Sequence, residues 1–185
     1  LGYVESVGVS SCILKGEIAF VKQLQKWLDE KCGWNLCYRA SRDGWSAQDF
    51  HRHCNNKGPT VVLIKANDCI FGGYTDKSWG GSQGYTYSKS SFLFSLRNKD
   101  NLAPFKASIK KGKENEALYP AADYGPWFGS GDILVDGHFN NSKDSFSNFG
   151  RAYQLPPGYV LGSDEAKSLL AGEFHFSISE MEVFH

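Results

Sequence analysis

Thr60-Val61-Val62-Leu63-Ile64-Lys65 is the stretch that decides the fold. It is β-branched and apolar, and it is bounded by turn formers, which marks a buried strand. Asn56-Lys57-Gly58-Pro59 breaks the chain before it. Asn67-Asp68 turns it into Ile70-Phe71-Gly72-Gly73-Tyr74, which completes a hairpin.

Upstream, Phe20, Val21, Leu24, Trp27 and Leu28 follow helical spacing and predict an amphipathic helix over residues 17–31, with Gly33 as its C′ residue. Residues 1–16 carry little pattern and read as an edge strand or an arm. A short strand over residues 35–39 leads into the turn Ser41-Arg42-Asp43-Gly44. Ser46 then caps a short helix, with Asp49 helping at its positive end. Downstream, residues 92–96, 133–135 and 174–178 read as further strands. The last alternates apolar and polar, and Met181 and Val183 break its phase, so a bulge is expected after Ile178. Short strands, few helices and many glycine turns give a mainly β (α+β) fold: a two-sheet antiparallel β-sandwich with flanking helices. No repeat or long linker divides the 185 residues, so one domain is expected, with an arm and helix in 1–33 and a sandwich core in 34–184.

Composition narrows the partners. Twenty Lys plus Arg balance twenty Asp plus Glu, so no global field draws the chain to nucleic acid or to a membrane. No apolar run approaches the roughly 18 residues of a membrane helix, and membrane insertion is not expected. An aromatic content of 15% suits both a β-sandwich core and the stacking of sugars on exposed rings. The cysteines are five: Cys12, Cys32, Cys37, Cys54 and Cys69. In a secreted chain an odd number suggests two internal bridges and one thiol left for another subunit, the leading reading; in a cytosolic chain the same five would be buried, reduced thiols. Cys12, in a polar lead segment, is the expected interchain cysteine.

Several motifs resemble those of the TLDc-like family. They run from Cys37-Tyr38-Arg39-Ala40-Ser41-Arg42-Asp43-Gly44-Trp45 through Phe50-His51 and Lys57-Gly58-Pro59-Thr60. Phe71-Gly72-Gly73-Tyr74-Thr75-Asp76-Lys77-Ser78-Trp79 and Phe92-Leu93-Phe94-Ser95-Leu96 continue the match. Tyr124-Gly125-Pro126-Trp127-Phe128-Gly129 and Glu180-Met181-Glu182-Val183-Phe184 complete it, over about residues 34–184. The resemblance implies two antiparallel sheets packed face to face. It implies two functions. Many members are intracellular, bind the vacuolar proton pump and support resistance to oxidative stress. A group of lone-domain invertebrate members includes a calcium-dependent, galactose-binding lectin of sea anemones.

Catalysis finds little support in the residues. His51 and His53, two apart on a helix, face different directions and cannot share a metal. No nucleophile elbow, phosphate loop or zinc spacing is present. Phe71-Gly72-Gly73-Tyr74 is too short for a nucleotide loop, and glycines in a strand allow close packing.

Sugar binding through calcium has an inventory in residues 123–144. Ca²⁺ takes roughly 6–8 oxygens, and a sugar needs an exposed ring beside them. Asp123, Asp132, Asp136, Asn140 and Asp144 are the expected calcium ligands, and Trp127, Tyr124, Phe128, Asp123 and Asp132 the expected sugar contacts. The spacing is not that of an EF-hand, so such a site is assembled across loops. Asn140-Asn141-Ser142 is also a glycosylation sequon. A second loop, residues 76–85, carries Trp79 and Tyr85. Asp, Asn and Gly are also simply what turns are made of.

The leading expectation is a secreted, calcium-dependent lectin for galactose-terminated glycans, not an enzyme. A disulfide-linked homodimer would give it avidity. The alternative is an intracellular TLDc adaptor that contacts the vacuolar proton pump or another protein. Basic side chains on one face would favour the alternative; Lys106, Lys110, Lys111 and Lys113 form the one obvious cluster, a run that more often is a solvated loop.

Overall fold

The computed structural model of the chain describes residues 10–29, 33–81 and 84–185. The central apolar run is strand β2, Thr60–Ala66, and it pairs antiparallel with β3, Cys69–Thr75. Asn67 and Asp68 join them with φ of 48° and 63°. Two successive left-handed residues match the twist of the flanking strands, which is why Asn and Asp stand there.

Across the larger sheet run β1 (Leu36–Arg39), β10 (Glu180–Phe184), β2, β3, β4 (Phe92–Arg97) and β5 (Phe105–Ser108). A second sheet holds β6 (Trp127–Phe128), β7 (Ile133–Leu134), β8 (Ser145–Phe146) and β9 (His175–Phe176). Neighbouring strands are antiparallel in both, and helices are few, as expected of a mainly β sandwich.

Alternate residues of a strand face opposite sides, so β2 serves two cores. Val62 and Ile64 pack with Phe71, Leu93, Phe128 and Phe176 on one side. Val61 and Leu63 pack with Leu24, Leu28, Phe92 and Phe94 on the other. That double cover is why the run is continuously apolar rather than alternating. Truncating Leu63 to Ala would cost about 2–5 kcal/mol. Gly72 and Gly73 of β3 are required by approach. A Cβ on Gly72 would run into the Val62 carbonyl, and one on Gly73 would lie 2.7 Å from the Phe128 ring.

The helix that covers the second core is α1, Ile18–Leu28, burying Leu24 and Leu28 as its spacing predicts. It stops earlier than expected. Asp29, with φ of 62°, ends it, so Gly33 is not its C′ residue, and residues 30–32 lie outside those described. The expected turn after β1 is a single helical turn, α2 (Ala40–Asp43), closed by Gly44 at φ 120°. Helix α3 (Ala47–Cys54) has the predicted cap: Asp49 N–H donates to Ser46 Oγ at 3.2 Å, and Ser46 N–H donates to Asp49 Oδ2 at 3.3 Å. Late in the chain, Ser163 caps the short α4, Asp164–Ser168.

Two expectations change. The phase break near Ile178 is not a bulge within one strand. Ile178 N–H donates to Phe139 O, and Ser179 N–H donates to Lys65 O, both at 2.8 Å, so the chain crosses there from the smaller sheet into the larger. The disulfide framework is absent among the described residues: Cys12, Cys37, Cys54 and Cys69 are all free thiols. Cys32 and most of the expected arm, residues 1–9, lie outside the described residues. Cys12 itself is exposed, but its backbone N–H donates to Glu182 Oε2 at 3.0 Å, which docks residues 11–13 on the sheet.

Candidate functional site

After a 3₁₀ turn at Glu114–Glu116, backbone bonds fold the chain back on itself. Tyr119 N–H donates to Trp127 O at 3.0 Å, Gly129 N–H to Ala117 O at 2.8 Å, and Thr86 N–H to Leu118 O at 2.8 Å. This places Tyr119 across from Trp127 and brings Tyr85 alongside.

Four rings result in a continuous ridge. Tyr85 meets Tyr119 edge-on at 4.9 Å, Tyr119 meets Trp127 at 4.5 Å, and Trp127 meets Tyr124 at 5.3 Å. Tyr85 is exposed, and the other three are half-buried. Trp127 Nε1 donates to Gly129 O at 3.0 Å, so its polar edge is satisfied from within the chain. The ring itself is half-buried between Tyr119 and Tyr124.

Helix α3 fixes the loop that carries Tyr124. His51 is buried, and its Nε2 lies 2.9 Å from Ala121 O and 2.7 Å from Tyr124 O. Its Nδ1 pairs with the Asn55 side chain at 2.7 Å. His53 points elsewhere, with Nδ1 2.9 Å from Asp49 O. A cavity of about 430 Å³ opens beside the ridge, lined among others by His51, Asn55, Gly80, Gly81, Tyr119 and Asp123.

The expected sugar and calcium residues divide. Trp127, Tyr124 and the exposed Asp123 lie at or beside this ridge. Phe128 does not: it is fully buried, with its ring 5.4 Å from that of Trp79. Trp79 is equally buried and donates from Nε1 to Thr60 Oγ1 at 2.9 Å, so the second candidate loop keeps only Tyr85 as an exposed ring.

Asp132 offers no oxygen to a cation or a sugar. It is fully buried, and it accepts backbone N–H from Ser130, Gly150, Ala152 and Tyr153 at 3.0–3.2 Å. Asp136 accepts from His138 N–H and Ser142 Oγ, each at 3.4 Å, closing its own turn. Asn140 is half-buried and Asp144 exposed. Among the described residues, no three His, Cys, Asp or Glu side chains are grouped to hold a metal ion. Tyr119 and Asn55 are members of the site that the sequence reading missed. Their role is created by the fold-back and by the α3 contact, neither of which leaves a local signal.

A family model for the TLDc domain matches residues 9–185. MTOR-associated protein MEAK7 of Gallus gallus is 36% identical over 64 residues, which is 34% of this chain and 14% of that protein. The match therefore spans a small part of this relative's length. A relative named for its association with MTOR points to an intracellular location. It overturns the expectation of a secreted chain, and no internal bridge joins the described cysteines. Family match, paired antiparallel sheets and motif order agree: the chain belongs to the TLDc domain family.

Proposed function

We propose that this chain is an intracellular TLDc adaptor, which acts by binding another protein and carries out no catalysis. The ridge of Tyr85, Tyr119, Trp127 and Tyr124 carries the reading. Tyr and Trp concentrate at protein interfaces because each covers a large area with few rotatable bonds to freeze. The neighbouring cavity supplies a pocket for a partner's anchor side chain. The relative's association with MTOR supports a protein partner over a glycan. The vacuolar proton pump, implied by the family resemblance, is the partner to try first.

Exposed rings also stack sugars, so the test must separate the two uses. The purified chain is titrated against the cytosolic sector of the vacuolar proton pump, with a galactoside array run in parallel with and without EDTA. Binding to the pump sector that Trp127→Ala weakens by at least about tenfold supports the adaptor. No binding to the pump, together with EDTA-sensitive capture on galactosides, overturns it.

A further inference from the structure

Five cations surround one cleft in a chain whose formal net charge is zero. Lys110, Lys111 and Lys113 follow β5, Arg151 follows β8, and Lys167 stands on α4. The cleft is half open with a volume of about 460 Å³, and among the described residues no carboxylate lines it. Among the described residues, Lys110, Lys111 and Arg151 enter no ion pair. Lys113 is 3.7 Å from Glu116, a carboxylate already bonded to Ser130 Oγ at 2.7 Å. Lys167 lies over the Phe174 ring at 4.8 Å. Lys106, grouped with these lysines by sequence, is not part of the cleft and sits over the Phe92 ring at 4.2 Å.

Backbone pairing enforces the crowding. Lys110 N–H donates to Ala152 O at 2.8 Å, and Ile109 bridges Tyr153 in antiparallel sense. Lys110 and Lys111 are thereby set beside Arg151. The same segment is pinned from below by Asp132, which binds the N–H groups on both sides of Arg151, those of Gly150 and Ala152. Like charges held side by side across paired strands repel. An anion in the cleft relieves that repulsion.

We propose that this cleft binds a small ligand carrying several closely spaced phosphates, of the inositol phosphate type. An arginine fork reads phosphate oxygens in pairs, and lysines add compact charge around it. The volume of this half-open cleft falls in the range of small-molecule sites, which favours such a ligand over an extended acidic strand of protein. The phosphates have two sources, a free inositol phosphate or the headgroup of a membrane lipid. Leu161, 54% exposed, stands on the rim where a bilayer would meet the second.

The test uses the full chain. Calorimetric titration with inositol hexakisphosphate examines the free source. Flotation with phosphatidylcholine vesicles carrying phosphatidylinositol bisphosphate examines the lipid source, against vesicles carrying phosphatidylserine at matched charge. Binding to either phosphate probe is expected, weakened at least about tenfold by Lys111→Gln combined with Arg151→Gln. Both side chains are exposed and their charges repel, so the melting temperature does not fall. Hexakisphosphate alone identifies a free ligand, and phosphoinositide vesicles alone identify a headgroup. Absence of both, equal flotation with phosphatidylserine, or indifference to the double variant overturns the proposal. So does tighter binding of a polyglutamate peptide, which would assign the cleft to an acidic protein.

Discussion

Arg39 Nε meets Glu182 Oε2 at 3.0 Å across the β1–β10 edge of the larger sheet, and Glu182 is fully buried. The carboxylate also accepts from Ser11 Oγ at 2.6 Å and from the backbone N–H of Cys12 and Ile13. One buried charge thus ties residues 11–13 and strand β10 to Arg39. Removing one partner of such a pair leaves the other uncompensated, so Glu182→Gln is expected to cost about 3 kcal/mol. It should also speed hydrogen exchange at the Cys12 and Ile13 amides. Urea denaturation with amide exchange measures both; unchanged exchange would mean that residues 11–13 are held by packing instead.

Asp132 carries a pH prediction. Burial pushes its carboxyl up to about 6, against the downward pull of the Tyr153, Ala152, Gly150 and Ser130 N–H groups. The unfolded value is about 3.9, so folding takes up a proton in the window between the two. Stability from this group is complete below about pH 4 and is lost as pH rises through about 6. Asp132→Asn does not titrate. The margin of wild type over this variant should be larger at about pH 4 than at about pH 7, by up to about 3 kcal/mol. Denaturation at the two pH values reads the margin; one that grows with pH would show the N–H donors outweighing burial.

What was legible in the sequence was local. The β2–β3 hairpin follows from an apolar run and Asn67-Asp68, and the Ser46–Asp49 cap lies within four residues. The glycines of β3 read as sites of close packing, and they are. Strands β6 and β8 are two residues each, too short to show a period. The candidate site failed where a residue's role depends on distant partners. Asp132 looks like any turn aspartate, and its N–H donors at 150, 152 and 153 are 18–21 positions away. Tyr119 becomes part of a ridge only because its N–H reaches the Trp127 carbonyl.

Trp127 and Phe128 are sequence neighbours on opposite faces of β6, so their truncations should separate stability from binding. The Phe128 ring fills the space over Gly73 and packs edge-on against Trp79 and Tyr153. Phe128→Ala is expected to cost about 3–5 kcal/mol. Trp127 is half-buried, touching Tyr119 and Tyr124, and Trp127→Ala should cost about 2 kcal/mol, less than Phe128→Ala. Thermal melts beside partner titration decide. A strongly destabilised Trp127→Ala would make the ridge a structural cluster rather than a binding face.

The thiols should react in a set order. Cys37 is held below the ordinary thiol range, first by the hydrogen bond from the Cys54 thiol and then, against burial, by Lys57 and Arg42. Burial pushes Cys54 well up, and it raises Cys69 as well. Thiolate is the nucleophile, so access and ionisation act together. Iodoacetamide at about pH 7 is expected to alkylate Cys37 and the exposed Cys12 well before Cys54 or Cys69. Cys54→Ala removes the donor that stabilises the Cys37 thiolate. Cys37 should then label more slowly at neutral pH, and its rate profile should move to higher pH. Peptide mass spectrometry over a time course follows each site. Equal rates for Cys37 and Cys54 in the folded chain would show that the two thiols share one environment, and the asymmetry drawn from burial would fall.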